Sequence, residues 1–338
     1  MKIIFILGKY KPNKCGISDY VKLLSEKLEN NSEINSFCQS TGLVKFVNSV
    51  EEADFLSIQF APYSFSTSGL SKKGLINLAK SLRGKKLHIN FHEIWVGAYP
   101  DASWKERIIG WFQKREILNF IHRSKPSVIT CSNSAAMDRM KQVGINVKYL
   151  YLFGNIPYFQ NEKNSSSNEL AAAFFGTSYT KFPYGLLAEK LKEISNSLKR
   201  PVHLKVIGRQ REIEGLEQIK KISITNGFTI SQVGECSESE ISKEFQNCDL
   251  GISTTPYDIL GKSGATAAML EHGLPVLAYD DEDTPNDELF VMEQFQDQIF
   301  LLNDITLTDR FNLFMQKPRK PFFDGVAYTQ NNMLKLIN

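Results

Sequence analysis

A chain of 338 residues exceeds the size at which one hydrophobic core stops growing, and its hydrophobic fraction of 42% is that of a soluble globular protein in two domains. The five cysteines (Cys15, Cys38, Cys131, Cys236, Cys248) are odd in number and widely spaced, with no Cys-x-x-Cys pair. They argue against a disulfide framework and a zinc site, and for reduced thiols in the cytoplasm. The net charge of +3 divides unequally, since residues 1–157 hold 22 Lys and Arg against 12 Asp and Glu, and residues 158–338 hold 18 against 25. A basic first half suits an anionic lipid surface or a phosphorylated acceptor. Its lysines are scattered rather than interleaved with aromatics, so a plain solvated surface is an equal reading and no nucleic-acid partner is expected.

The run at 2–7 is continuously apolar, as a buried strand of a parallel sheet is, and too short to span a bilayer. A loop follows, then a helix from about Ser18 with Ser18 as its N-cap and Val21, Leu24 and Leu28 on one face. Cys15-Gly16-Ile17 thus stands at a strand-to-helix junction, where ligands bind in doubly wound sheets. Strands are expected at 43–47, 55–59 and 86–91, and a helix near 73–82. The last of these strands ends in Phe91-His92-Glu93, which puts an imidazole and a carboxylate on the edge where chemistry collects. Residues 104–124 read as an amphipathic helix carrying Trp104, Ile108, Trp111, Ile117 and Phe120. Trp95, Tyr99, Trp104 and Trp111 can stack on sugar rings, although packing inside the protein is the commoner use of such residues. A strand at 128–131, a helix at 133–142 and a strand at 147–152 complete the first half.

The polar stretch 155–168, with Pro157 and Asn164-Ser165-Ser166-Ser167-Asn168, reads as a linker. Beyond it strands are expected at 170–175, 203–207 and 229–232, with helices at 184–198 and 237–247. The strand at 203–207 leads into Gly208-Arg209. Residues 249–279 then form a strand, a polar loop, a small-residue helix and a second buried strand, which is a βαβ unit. The loop ends in Lys262-Ser263-Gly264, so the free amides of a helix mouth would lie beside an ammonium and a hydroxyl. That arrangement attracts an anion, with phosphate the commonest; a surface loop with a good helix start is the plainer alternative. The Walker spacing is missing, and Gly8 to Gly16 does not form Gly-x-Gly-x-x-Gly. The tail reads as helical around Pro318 and Pro321.

Two successive alternating units imply paired doubly wound α/β domains facing across a cleft. At this point the chain resembles glycosyltransferases of the GT-B fold, and most closely their retaining family 4. The resemblance rests on Cys15-Gly16-Ile17-Ser18-Asp19-Tyr20-Val21, Phe91-His92-Glu93, Val206-Ile207-Gly208-Arg209, residues 245–253, and residues 267–276 with Gly273-Leu274-Pro275-Val276. It implies two Rossmann-like domains: an acceptor domain at 1–157 and a nucleotide-sugar donor domain at 158–320, with a helix at 321–338 packing back on the first. By the same resemblance Lys262 and Arg209 pair with the diphosphate, and the amides of Ser263, Gly264 and Ala265 cap a phosphate or hold the sugar. Gly16, with Ile17, lets the first loop approach the diphosphate, and His92 contacts the transferred sugar. For His92 a strand-end histidine bonded to backbone is the alternative, and for Arg209 a surface ion pair.

One departure stands out. The family carries two Glu residues, which here are Leu260 and Ala268. Glu271, one turn beyond Ala268, is a substitute ribose contact or exposed helix surface. The reaction implied is transfer of a sugar from a nucleotide-diphosphate sugar to a hydroxyl of a glycan, lipid-linked glycan or protein. Retention, no cofactor and no metal are expected, with Asp280-Asp281-Glu282-Asp283 read as solvated loop. A peripheral place at the inner membrane face through the basic first domain fits the charge. A nucleotide-sugar epimerase, or a sugar-nucleotide binding module that has lost catalysis, are the other readings of the same pocket.

Overall fold

The computed structural model describes residues 2–12, 15–28, 32–36, 53–70, 72–97, 102–160, 168–210, 212–280 and 293–337. The strand expected at 43–47, Cys38, Tyr99, residues 281–283 and the centre of the expected linker lie outside them. Contacts divide the chain into two units, residues 1–151 with 326–338, and residues 152–325.

The first unit runs β1 (Ile3–Leu7), α1 (Gly16–Lys27), β2 (Ser32–Ser36), β3 (Phe55–Phe60), α2 (Pro62–Phe65), α3 (Lys72–Ser81), β4 (Leu87–Phe91), α4 (Trp104–Ser124), β5 (Val128–Cys131), α5 (Ser134–Gln142) and β6 (Lys148–Tyr149). The second runs β7 (Leu170–Phe175), α6 (Tyr184–Leu198), β8 (Val202–Ile207), α7 (Ile213–Asn226), β9 (Thr229–Gly234), α8 (Glu238–Gln246) and β10 (Leu250–Ile252). After a 3-10 turn (Tyr257–Lys262) it continues with α9 (Gly264–Glu271), β11 (Val276–Ala278), β12 (Ile299–Leu301) and α10 (Leu307–Met315). The last helix, α11 (Gly325–Ile337), belongs almost wholly to the first unit: Thr329 Oγ1 donates to the Tyr151 carbonyl at 3.0 Å.

Among the described residues each unit is one six-stranded sheet, ordered β2-β1-β3-β4-β5-β6 and β12-β11-β10-β7-β8-β9, with every neighbouring pair parallel. The strands that pattern alone places, β1 and β7, are continuous apolar runs buried on both faces. In contrast, Ser32–Ser36 is a polar strand at the end of the described sheet, where nothing requires an apolar run. Phe60, Phe91 and Phe120 centre one core, and Phe174, Leu204, Phe300 and Phe311 the other.

Two expectations change. Helix α1 starts at Gly16, and Ser18 lies inside its first turn rather than at its cap. Its buried hydroxyl accepts the Lys11 N–H at 2.9 Å and so holds the β1–α1 loop against the helix. Helix α4 opens on a reciprocal cap, in which Ser103 Oγ accepts the Glu106 N–H and the Glu106 carboxylate accepts the Ser103 N–H at 2.8 Å. Its inner face carries Ile117, Phe120 and Ile121, whereas Trp104, Ile108 and Trp111 point outward. It therefore has apolar residues on both sides.

Candidate functional site

In the second sheet the chain goes from β7 to β8 and β9 on one side, then returns to place β10 on the other side of β7. Reversal of strand order opens a crevice beyond the carboxyl ends of β7 and β10, because the loops leaving those two strands part in opposite directions. The β7 loop begins at Gly176, whose φ of +78° favours glycine; a β-carbon there would meet the Ala265 methyl at 3.4 Å. Gly176 accepts a bond from the Gln210 side-chain amide, so the loop carrying Arg209 is tied to the same spot. Thr254, at the exit of β10, accepts the Tyr179 N–H at 3.1 Å and donates to the Thr177 carbonyl at 3.2 Å. The structure thus gathers the loop that carries Arg209, the first turn of α9 and the loop 176–179. Sequence reasoning missed Gly176, Thr177 and Thr254; a glycine directly after the first apolar strand of the second half was the available signal.

At the mouth of α9, Ser263 is the N-cap. Its hydroxyl accepts the Thr266 N–H at 3.2 Å and the Thr266 hydroxyl at 2.9 Å, and Thr266 also bonds Ser253, just after β10, at 2.7 Å. The Ser263 amide donates to the Leu260 carbonyl at 3.0 Å and is not open to a ligand. Gly264 and Ala265, the first two helical residues, have amides with no place in the helical ladder. Lys262 is exposed and has no ion-pair partner among the described residues. Arg209 is exposed too, with Glu235 3.5 Å away, so the surface-pair alternative describes its position in this structure.

Glu271 departs from the expected exposed surface. It is 2% exposed, and its Oε1 accepts the Gly154 N–H at 2.9 Å, which ties the 152–154 segment onto α9. Leu260 and Ala268 are both fully buried, and a β-carbon on Gly154 would stand 2.5 Å from the Ala268 Cα. A glutamate at 268 has no room there.

In the first unit, Gly16 and Ile17 open α1 beyond the carboxyl end of β1, where the order again reverses between β1 and β3. A β-carbon on Gly16 would meet nothing within 4 Å, so the space beside it is open. His92 follows β4; its N–H donates to the Phe60 carbonyl at 2.9 Å and its ring meets Tyr20 of α1 edge-on at 5.1 Å. Gly16, Ile17 and His92 are therefore neighbours through Tyr20. Burial lowers the imidazole of His92 to about 4, and it is neutral at pH 7. Its Nε2 lies 2.8 Å from Gln59 Oε1.

A cavity of about 990 Å³ lies on the opposite edge of the second sheet, among the starts of the strands. Three of its cations are committed: Arg200 pairs with Asp249 at 2.7 Å, Lys205 with Glu244 at 2.8 Å, and Arg319 donates to the carbonyls of Phe245, Gln246, Cys248 and His272. Those carbonyls end two helices, where a cation is favourable. These contacts hold the edge together. Among the described residues no group of three or more His, Cys, Asp or Glu is placed to hold a metal, and no helix is long and apolar enough to cross a membrane.

No family model matches the chain, and no curated protein matches it by sequence. Solved structures do match over almost its whole length. Anabaena HepE in complex with UDP aligns with a TM-score of 0.58 at 16% identity, covering 99% of each chain. The lipopolysaccharide outer core galactosyltransferase WaaB, in its apo form, aligns at 0.57 and 14%, covering 100% of this chain and 99% of its own. An alpha-glucosyltransferase in complex with UDP aligns at 0.55 and 11%, covering 99% and 94%. The fold is GT-B. The GT-B architecture accounts for both strand orders and places the α9 mouth at the crevice of its second unit; identities this low carry the fold and not the substrate.

Proposed function

We propose that the chain transfers a sugar from a nucleotide-diphosphate sugar to an acceptor hydroxyl, with the second unit holding the donor. One observation carries this reading: at the crevice of a GT-B unit, the two amides that open α9 and an exposed Lys262 with no ion pair among the described residues lie near the loop that carries Arg209. In glycosyl transfer the leaving diphosphate gains charge in the transition state, and oriented amides and cations stabilise it. Lys262, Arg209 and the amides of Gly264 and Ala265 take that role, without cofactor or divalent ion. The UDP bound in HepE and in the alpha-glucosyltransferase favours a uridine nucleotide. In the first unit, His92 meets the transferred sugar, and Gly16 with Ile17 leaves space for the donor. Glu271 serves as an internal anchor, not as a ribose contact. Retention follows the family resemblance, with the diphosphate accepting the acceptor proton on the front face.

A thermal-shift screen tests the reading, because a ligand that binds only the folded state raises the melting temperature by mass action. UDP-sugars are expected to raise it and nicotinamide dinucleotides to leave it unchanged; no response to any nucleotide sugar overturns the proposal. Proton NMR of the product then reads the anomer, and an inverted linkage removes front-face transfer. Binding with no turnover on a broad acceptor panel returns the chain to a binding module, and sugar interconversion without acceptor to an epimerase.

The acceptor side has an observation of its own. On α4, Trp104, Ile108, Trp111 and Phe112 are 68%, 49%, 57% and 46% exposed. Lys105 lies over the Trp104 ring at 5.8 Å and Arg115 over Trp111 at 5.7 Å. Lys72, Lys73 and Lys80 of α3, which packs beside α4, are exposed as well. An aromatic stripe flanked by cations is the composition of a helix that lies in the headgroup region of anionic membranes. We therefore favour a lipid-linked acceptor at a membrane surface. Flotation with vesicles containing phosphatidylglycerol is expected to carry the protein, and phosphatidylcholine alone to leave it in solution. Each charge removed by Lys105→Gln or Arg115→Gln weakens binding by about fivefold, from about 1 kcal/mol per cation near the surface. Equal flotation on both vesicles ends this part of the reading.

A further inference from the structure

One face of the first sheet carries a patch of polar side chains that the proposed chemistry does not use directly. Ser57 and Gln59 of β3, His88 and Asn90 of β4, and Thr130 of β5 are each at most 4% exposed and project side by side, since Ser57 is in register with His88, Gln59 with Asn90, and Asn90 with Thr130. The Thr130 hydroxyl spends its single proton on Asn90 Oδ1 at 2.9 Å, so toward His88 Nε2, 2.8 Å away, it can only accept. His88 therefore carries its proton on Nε2 and accepts the Ser57 hydroxyl on Nδ1 at 3.0 Å. Ser57 accepts the Gln59 amide at 2.8 Å, and Gln59 Oε1 accepts the Asn90 amide at 3.0 Å. The five side chains close a ring in which each gives one hydrogen bond and takes one, all in the same sense. A buried polar patch satisfied in this way fixes every proton in it.

His92 is attached to the ring at Gln59 Oε1, an atom that only accepts. We propose that the ring positions His92 by fixing its tautomer: the Nε2 proton is donated to Gln59, and Nδ1 is left as a lone-pair acceptor for a hydroxyl donor such as a sugar hydroxyl. The 3.3 Å approach of Asn90 Nδ2 to His92 Nε2 is then two donors abreast and not a bond. Turning the ring round would invert both carboxamides, and it would move the proton to Nδ1 on His88 and on His92 together. The two histidines therefore share one tautomer. Ser57, Gln59, His88, Asn90 and Thr130 are positioning residues, since they act through His92.

The use made of Nδ1 rests on the glycosyl-transfer reading, whereas the tautomer does not. Long-range proton–nitrogen correlation on the full-length protein labelled with 15N-histidine reads the tautomer directly. At pH 7, both His88 and His92 are expected as neutral Nε2–H forms. An Nδ1–H form at either residue, or a charged His92, overturns the proposal. Thr130→Val opens the ring with little change of shape and is expected to give His92 a mixture of tautomers, while Thr130→Ser restores the single form. An unchanged, single His92 tautomer in folded Thr130→Val overturns the proposal, and the wild-type spectrum decides it if that variant does not fold. In a transfer assay Thr130→Val lowers kcat about tenfold, the worth of one ordinary hydrogen bond, and leaves donor KM alone. A correct tautomer in a protein without transferase activity upholds the ring and removes the function proposed above.

Discussion

Purified Lys262→Ala protein is expected to turn over about a hundredfold more slowly than the parent, the usual cost of removing one donor aimed at developing charge. The argument is one of position. Lys262 ends the 3-10 turn that delivers the chain to α9, and it stands next to the N-cap and two residues from the first open amide. It is exposed and makes no ion pair among the described residues, so deleting its charge leaves no buried group unsatisfied. Its melting temperature is therefore expected to stay near that of the parent, as for most surface substitutions. Arginine in its place retains the charge but spreads it over a planar fork, and partial activity is expected. A folded Lys262→Ala enzyme with near-normal kcat would remove this residue from the mechanism and leave the phosphate to Arg209 and the amides.

The second large effect is on stability in acid. Burial, with a smaller contribution from the neighbouring His92, lowers His88 to about 3, and burial lowers His92 to about 4. Above pH 6.5 both histidines are neutral whether the chain is folded or not, and they add no pH dependence. Between pH 6.5 and about 4 the unfolded chain takes up two protons that the folded first unit refuses, so stability falls with falling pH by up to about 2.7 kcal/mol per pH unit. Over that window the loss is on the order of 5 kcal/mol, comparable with the whole stability of an ordinary domain. The second unit has one such group: His272, lowered to about 4 by burial even though the Ala268 carbonyl opposes the shift. It loses about half as much per pH unit. All three tryptophans, Trp95, Trp104 and Trp111, lie in the first unit. Intrinsic fluorescence melts at pH 7, 6 and 5 therefore follow the acid-sensitive unit, whose transition is expected to move down faster than the far-UV circular dichroism transition of the whole chain. A fluorescence midpoint constant across that range would mean that the two histidines are hydrated and ordinary.

What the sequence reveals and what it hides follow from the range of the interactions involved. Strands such as Ile3–Leu7 and Leu170–Phe175 are legible because both faces are covered, which writes a continuous apolar run into the chain. Ser32–Ser36, at the end of its described sheet, carries no such mark. Helix Ile213–Asn226 was overlooked although Leu216, Ile219 and Ile222 recur at helical spacing, because exposed Ile213 and Ile224 blur the stripe. At the candidate site, Lys262, Gly264 and Ala265 were visible since strand, loop and helix mouth are local. The fate of Glu271 was not, because its partner Gly154 is 117 residues away. His92 stood out at a strand end, yet the residues that orient it come from β3 and β5 and meet only once strand order is known. The outward direction of the α4 tryptophans stayed open in the sequence for a different reason: periodicity finds an apolar stripe but does not say which of two stripes is covered.

Helix α11 closes the first unit with residues that follow the second unit in sequence, while the second unit is one uninterrupted segment. On the ribosome this reverses the order of assembly. The segment translated later can complete its native contacts earlier, and the amino-terminal half must wait for Tyr328 and Thr329 to emerge before Tyr151 has its cover. A nascent chain stalled short of that helix holds an unfinished amino-terminal half, which makes the codons for Gly325–Ile337 decisive for the yield of folded protein.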